Sequence, residues 1–85
     1  MENPNSYVFT TKYVIQDKSP ILKVLHEDDC DWQFLGKESN LKEEDAMLVS
    51  FKDMLEFDSS LIDIIDLPIG KSAYRKDVNT SWSIE

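Results

Sequence analysis

The chain has 85 residues, of which 41% are hydrophobic and 11% are aromatic, and this composition is typical of one small globular domain rather than of a disordered segment. Its net charge of −8 disfavours direct binding to phosphate backbones, and its single cysteine excludes an internal disulfide. No apolar run approaches the roughly 20 residues that cross a bilayer and no signal peptide is apparent, so we expect a cytoplasmic protein that interacts with neither nucleic acid nor membrane.

The first half of the chain predicts three strands. Residues 7–15 are rich in β-branched and aromatic side chains, which favours a strand. Residues 21–27 and 32–36 show the alternation of apolar and polar side chains that is typical of half-buried strands. The Asp-rich segment between these two strands predicts a tight turn, so residues 20–36 are expected to form a β-hairpin with an acidic tip.

The second half predicts further strands and short helices. Ser50 is a credible N-cap, because its hydroxyl can accept a free backbone N–H of a following helix. Pro68 and Gly70 end the apolar segment that follows. The expected elements are a strand at 46–51, a helix at 51–57, a helix at 60–67 capped by Asp58 or Ser59, and strands at 72–78 and 81–85.

These elements indicate the fold class. Strands before and after a pair of short helices favour an α+β domain rather than a parallel sheet with alternating helices. We therefore predict one domain over residues 1–85, with a mainly antiparallel sheet, one or two short helices and a flexible segment at residues 1–6.

The acidic residues are unevenly placed along the chain. Residues 27–66 contain 13 acidic residues and 3 lysines, a net charge of −10, whereas the remaining residues contain 4 acidic and 6 basic residues, a net charge of +2. A polarised field of this kind favours a basic partner and accelerates its association. The alternative is that these carboxylates keep a small domain soluble.

The acidic tip does not have the pattern of a metal or thiol site. Asp28, Asp29 and Asp31 offer oxygen ligands, but they lack the alternation and the central glycine of a calcium loop. One cysteine and one histidine are too few for a structural zinc site. Cys30 lies among carboxylates, which keep a thiol protonated, so it is not expected to be a nucleophile. No cofactor, metal or catalytic residue is predicted.

Four further side chains stand out. Trp32 and Phe34 lie on one face of a predicted strand and are expected to be core residues. Trp82 either covers the sheet or anchors an interface. Arg75 is expected to pair with an acid of the hairpin and to attach the last strands to the sheet.

Several short motifs resemble a widespread family of small bacterial proteins. They are DWQFLG at 31–36, MLVSFKDMLEFDSSLIDIIDLPIG at 47–70 and AYRKDVNTSW at 73–82. The pattern is also similar, more loosely, to the predicted immunity proteins of polymorphic toxin systems, family thirty-three. The resemblance implies a cytoplasmic protein that binds and blocks a cognate toxin without a cofactor. It rests on Asp31, Trp32, Phe34, Pro68, Gly70, Ala73, Arg75 and Trp82, most of which have the residue types that a fold requires.

These observations favour a non-catalytic binding protein whose acidic surface occludes a basic protein partner. One alternative is a small ligand-binding or enzymatic domain that uses Arg75 and the hairpin acids. Another is a structural homodimer joined through an exposed edge of residues 21–27. The residues expected to contact a partner are Asp28, Asp29, Asp31, Glu43, Glu44 and Asp45.

Overall fold

The protein folds into a single six-stranded sheet with short helices. The structure, a computed structural model, describes residues 5–85. The strands are β1 Tyr7–Thr11, β2 Lys23–His26, β3 Trp32–Leu35, β4 Ala46–Ser50, β5 Ser72–Tyr74 and β6 Ser83–Ile84. The helices are α1 Lys12–Gln16, α2 Phe51–Phe57 and two 3₁₀ helices, Glu43–Asp45 and Ser59–Ile64.

The sheet has the strand order β4-β1-β3-β2-β5-β6. Strand β1 runs parallel to β3, and every other neighbouring pair is antiparallel. The predicted α+β class with a mainly antiparallel sheet is therefore confirmed. The predicted flexible segment at residues 1–6 lies for the most part outside the described residues, and at its end the Ser6 carbonyl accepts a hydrogen bond from Phe51.

The core lies on one face of this sheet. Trp32 and Phe34 point to that face, as expected, and the Phe51 ring of α2 meets both of them edge to face. Edge-to-face contacts place the positive ring edge against the negative ring face, so they stabilise the core beyond simple burial. The helices α2 and Ser59–Ile64 cover this face and supply further core side chains, among them Met54, Leu61 and Ile64.

The segment after β1 is a helix, which corrects the strand predicted over residues 7–15. The strand ends at Thr11, whose hydroxyl accepts a hydrogen bond from the Val14 backbone N–H at 3.3 Å. This bond caps α1, and Val14 of that helix is buried in the core. A threonine at an N-cap satisfies a free donor that the β-branched composition alone does not reveal.

The hairpin of β2 and β3 has the predicted acidic tip. Glu27 donates its backbone N–H to the Asp31 carbonyl, and Cys30 donates its backbone N–H to the Glu27 carbonyl. Cys30 has a φ of 74°. This geometry is that of a three-residue hairpin loop whose last residue is left-handed, a position that glycine favours.

The position of β2 corrects one sequence-based expectation. Residues 21–27 were expected to offer an exposed strand edge, but β2 pairs with β3 on one side and with β5 on the other. A homodimer through that edge is therefore excluded. The two outer strands of the described sheet are β4 and β6.

The left-handed position at the hairpin tip makes Cys30→Gly a stabilising substitution. The left-handed conformation costs a residue with a Cβ about 1–2 kcal/mol, of which the greater freedom of glycine in the unfolded chain offsets about 0.5–1 kcal/mol. We expect Cys30→Gly to raise the free energy of unfolding in urea by about 0.5–1 kcal/mol. Cys30→Ala keeps the Cβ and is the control; an equal gain for both variants would contradict the turn geometry.

Candidate functional site

Among residues 5–85, the helices that pack on the core leave the opposite face of the sheet uncovered around Phe9 and Leu48. Because side chains alternate along a strand, Phe9 of β1 and Leu48 of β4 lie opposite each other on this face. Phe9 is 37% exposed and Leu48 is 58% exposed, and Tyr7 beside them is also exposed. We call the surface formed by Tyr7, Phe9, Gln33 and Leu48 the open face.

The acidic hairpin tip borders the open face. The Gln33 side-chain amide donates a hydrogen bond to the Glu27 carboxylate at 2.9 Å, which holds that carboxylate beside the face. Glu27, Gln33 and Phe9 line a shallow hollow of about 310 Å³ together with Asp28, Asp29 and Asp31. The structure therefore brings the three predicted tip acids together, next to an exposed aromatic ring.

A second hollow lies on the other side of the Phe9 and Gln33 side chains. It has a volume of about 270 Å³, and it shares Phe9 and Gln33 with the acidic hollow. Leu35 and Leu41 give this second hollow an apolar lining. The open face thus places a negatively charged hollow and an apolar hollow next to each other across β1 and β3.

The second predicted group of acids is divided by the structure. Glu43 and Glu44 are exposed on the 3₁₀ helix that precedes β4. Asp45 is buried, accepts a hydrogen bond from the Lys42 backbone N–H and forms an ion pair with Lys12 at 3.1 Å. These two interactions lower the pKa of the Asp45 carboxyl below its ordinary value. Asp45 therefore closes a loop, which corrects its prediction as a surface residue for a partner.

The acids of residues 27–66 do not form one continuous surface. Asp53 and Glu56 are exposed on α2, and Asp63 is exposed on the 3₁₀ helix Ser59–Ile64. These elements cover the core face of the sheet, opposite the open face. The acids that line the hollow on the open face are those of the hairpin tip.

Arg75 connects three parts of the chain from a buried position. Its side chain is 2% exposed and forms an ion pair with Asp58 at 2.7 Å. The guanidinium also donates to the Ile21 carbonyl and to the Ser60 hydroxyl. The predicted pairing with a hairpin acid is wrong, because the carboxylate partner comes from the N-cap of the 3₁₀ helix Ser59–Ile64.

The environment of Asp58 favours its ionised form. Burial on its own would raise the pKa of this carboxyl, but hydrogen bonds from Ser60 and Arg75 and the positive charge of Arg75 outweigh it. The result is a pKa below the ordinary value. Arg75 lines none of the four hollows of about 190–340 Å³ described for residues 5–85, and its side chain is 2% exposed.

The other motif residues serve the fold. Pro68 begins a turn in which its carbonyl accepts from the Lys71 N–H and Gly70 has a φ of 85°, a conformation that glycine favours. A Cβ on Gly70 would also lie 2.9 Å from an Asp28 carboxylate oxygen. Trp82 lies half-buried over Arg75, with its ring centroid 4.2 Å from the guanidinium carbon, so it covers the sheet.

The residues that form the open face were not among the predicted site residues. The alternation in YVFTT places Tyr7 and Phe9 on one face and Val8 and Thr10 on the other, but each face carries an aromatic or β-branched residue. Both faces therefore resemble a core face. What distinguishes the two faces is the small number of helical residues in the chain, because these residues can cover only one face of the sheet.

Comparisons with known proteins identify no relative of this chain. No protein-family model, no curated protein and no solved structure matches it. Among residues 5–85, no cluster of three or more His, Cys, Asp or Glu side chains has the arrangement of a metal site. Within the same residues, no helix combines the length and the apolarity that a membrane span requires.

Removal of the Asp58 carboxylate should destabilise the fold strongly. Asp58→Ala leaves the Arg75 guanidinium buried without its counter-charge, and loss of one partner of a buried ion pair costs about 3 kcal/mol. Asp63→Ala removes an exposed carboxylate from the same segment and should change the stability by less than about 0.5 kcal/mol. Urea denaturation measures both values, and equal effects would show that the Arg75 contacts contribute little.

The lowered pKa of Asp58 makes stability depend on pH in a specific direction. The unfolded chain binds a proton at this carboxyl at a higher pH than the folded chain does. The contribution of the ionised Asp58 carboxylate to the free energy of unfolding is therefore complete well above pH 3.8. It is lost as the pH falls below that value. The measurement is urea denaturation between about pH 7 and pH 3. Over this range the free energy of unfolding should fall less in Asp58→Asn than in the unsubstituted protein, whereas in Asp63→Asn it should fall by the same amount. An unchanged decline in Asp58→Asn would contradict this assignment.

Proposed function

We propose that this chain is a non-catalytic binding protein of the toxin-neutralising immunity type, which occludes a basic protein partner with its open face. The observation that supports the proposal most directly is the exposure of Phe9 and Leu48 beside the acidic hollow at the hairpin tip. Exposed apolar surface with a polar rim is typical of protein interaction sites. The motifs in residues 31–82 are more loosely similar to predicted immunity proteins, and this similarity supports the same class of function.

The two hollows suggest how a partner would be recognised. A lysine or arginine side chain fits the acidic hollow, where Asp28, Asp29 and Asp31 supply negative charge. An apolar side chain next to it would cover Phe9 and enter the hollow lined by Leu35 and Leu41. Apolar burial at the centre supplies affinity, and complementary charge at the rim supplies specificity and a fast association rate.

The proposed mechanism is occlusion, because it requires no chemical step from this chain. A basic groove that binds a polyanionic substrate would be covered by the acidic tip, which competes for the same positive charges. The partner would be intracellular when the protein acts on it. No cofactor or metal takes part in this mechanism.

The proposal predicts that neutralising the hairpin tip weakens the complex in a salt-dependent way. The tagged chain is used to isolate its partner from the native host, and the affinity of the purified partner is then measured by calorimetry. The triple variant Asp28→Asn/Asp29→Asn/Asp31→Asn keeps the side-chain shapes and should lower the affinity about tenfold or more. An increase from about 0.05 M to about 0.5 M NaCl should weaken the unsubstituted complex and affect the variant less.

The control variant has the same change in net charge, placed on the helices that cover the core face. Asp53→Asn/Glu56→Gln/Asp63→Asn neutralises three exposed acids of the helices and should leave the affinity within about threefold of the unsubstituted value. Equal losses in both triple variants, a partner with an acidic surface, or an affinity indifferent to salt would contradict the proposal. If the partner is a toxin, co-expression of this chain should restore growth of cells that produce it.

A further inference from the structure

Strand β4 is an unprotected edge of the sheet. It has five residues, Ala46–Ser50, and it contains no charged residue and no proline. All five pair with β1 in unbroken register, so no bulge twists this edge away from a neighbour. Soluble proteins usually protect an edge strand with charges, prolines, bulges or short length. The other edge strand, β6, is only two residues long.

The hydrogen-bonding pattern shows which backbone groups lie on this edge. Hydrogen-bonded and non-hydrogen-bonded residue pairs alternate along an antiparallel ladder. The Phe51 N–H, one residue beyond β4, donates to the Ser6 carbonyl at 2.9 Å, so every second residue counted back from Phe51 also faces β1. The residues between them, Ala46, Leu48 and Ser50, direct their backbone groups away from β1, but the Ala46 N–H already donates to the Glu43 carbonyl.

We propose that β4 is a dimerisation strand, which pairs antiparallel with β4 of a second copy of this chain. Pairing centred on Leu48 places Leu48 opposite Leu48 of the second copy and Ala46 opposite Ser50 of the second copy. Leu48 can then exchange both backbone hydrogen bonds with Leu48 of the second copy, and the Ser50 N–H can donate to the Ala46 carbonyl of the second copy. The edge is therefore self-complementary for a short antiparallel ladder. The two exposed Leu48 side chains would form a cross-strand pair on the open face.

The charges next to β4 fit a second copy as well. Glu44 precedes the strand and Lys52 follows it, and both are exposed. A two-fold axis at Leu48 brings Glu44 of each copy toward Lys52 of the other, so opposite charges meet at both ends of the paired strands. An extended segment of an unrelated protein would have no such built-in complementarity.

The net charge of −8 opposes this association at long range, since the two copies repel each other. A five-residue strand pair also buries less surface than a stable dimer requires. The dimer is therefore weak and concentration-dependent, and added salt strengthens it by screening the repulsion. The proposed complex with a basic partner has the opposite salt dependence, so the two proposals can fail independently.

Sedimentation velocity tests the dimer. Between about 10 µM and about 1 mM protein, the average mass should rise from 9.9 kDa toward twice that value, and about 0.5 M NaCl should increase the dimer fraction relative to about 0.05 M. A monomer at every concentration would overturn the proposal. A dimer that salt dissociates would also overturn it, because charge rather than the strand edge would then hold the copies together.

A matched pair of variants locates the contact. Leu48→Lys places a charge on the edge, where Leu48 is 58% exposed, and should weaken dimerisation about tenfold or more. Ile62→Lys makes the same change at a side chain that is 55% exposed on the helical layer, and it should leave dimerisation unchanged. Equal weakening by both variants, or by neither, would overturn the assignment to β4.

Amide hydrogen exchange provides a second readout that does not depend on a substitution. The amides of Leu48 and Ser50 should gain protection as the protein concentration rises. The amides of Met47 and Val49, which already face β1, and of Ala46, which already donates to Glu43, should not. Protection that appears instead at β6 or across the open face would assign the dimer to another surface and overturn the proposal.

Discussion

The helices of this chain contain too few residues to cover both faces of a six-stranded sheet. Helix α2 has seven residues, the 3₁₀ helix after it has six, and their buried apolar side chains pack on the face that carries Trp32 and Phe34. A strand exposes alternate side chains on its two faces, so burial of one face leaves the other in water. The exposure of Phe9 and Leu48 is a consequence of this limited coverage. The proposed partner surface depends on this exposure.

The local parts of the fold could be predicted because their causes lie within a few residues. The hairpin tip follows from the turn chemistry of the Asp-rich segment, and the start of α2 follows from the Ser50 hydroxyl, which accepts from Asp53 at 3.0 Å. The strand predicted over residues 7–15 fails at Thr11, because one side-chain hydrogen bond outweighs the β preference of the residues that follow. The order of the strands is a long-range property, and sequence alternation contains no information about which strand becomes the edge.

The Arg75 contacts show why the candidate site was harder to predict than the fold. A buried guanidinium requires a carboxylate, and the sequence offered 17 acidic residues as possible partners. The choice of Asp58 depends on the placement of the start of the 3₁₀ helix Ser59–Ile64 beside Arg75, which no local pattern reveals. The motif residues Trp32, Gly70, Arg75 and Trp82 all stabilise the fold. The resemblance based on them therefore predicts the scaffold more directly than the surface that a partner would contact.

Leu48 belongs to both proposed surfaces, and the geometry of a strand-edge dimer makes them compatible. A two-fold axis perpendicular to the sheet at Leu48 joins the two sheets into one and keeps both open faces on the same side. Because β3 runs parallel to β1 and antiparallel to β4, the two acidic tips would lie toward opposite ends of the joined sheet. A dimer would therefore present two acidic hollows on one surface. A partner with two basic sites at the matching separation would bind such a surface more tightly than it binds one copy, because the second contact becomes intramolecular.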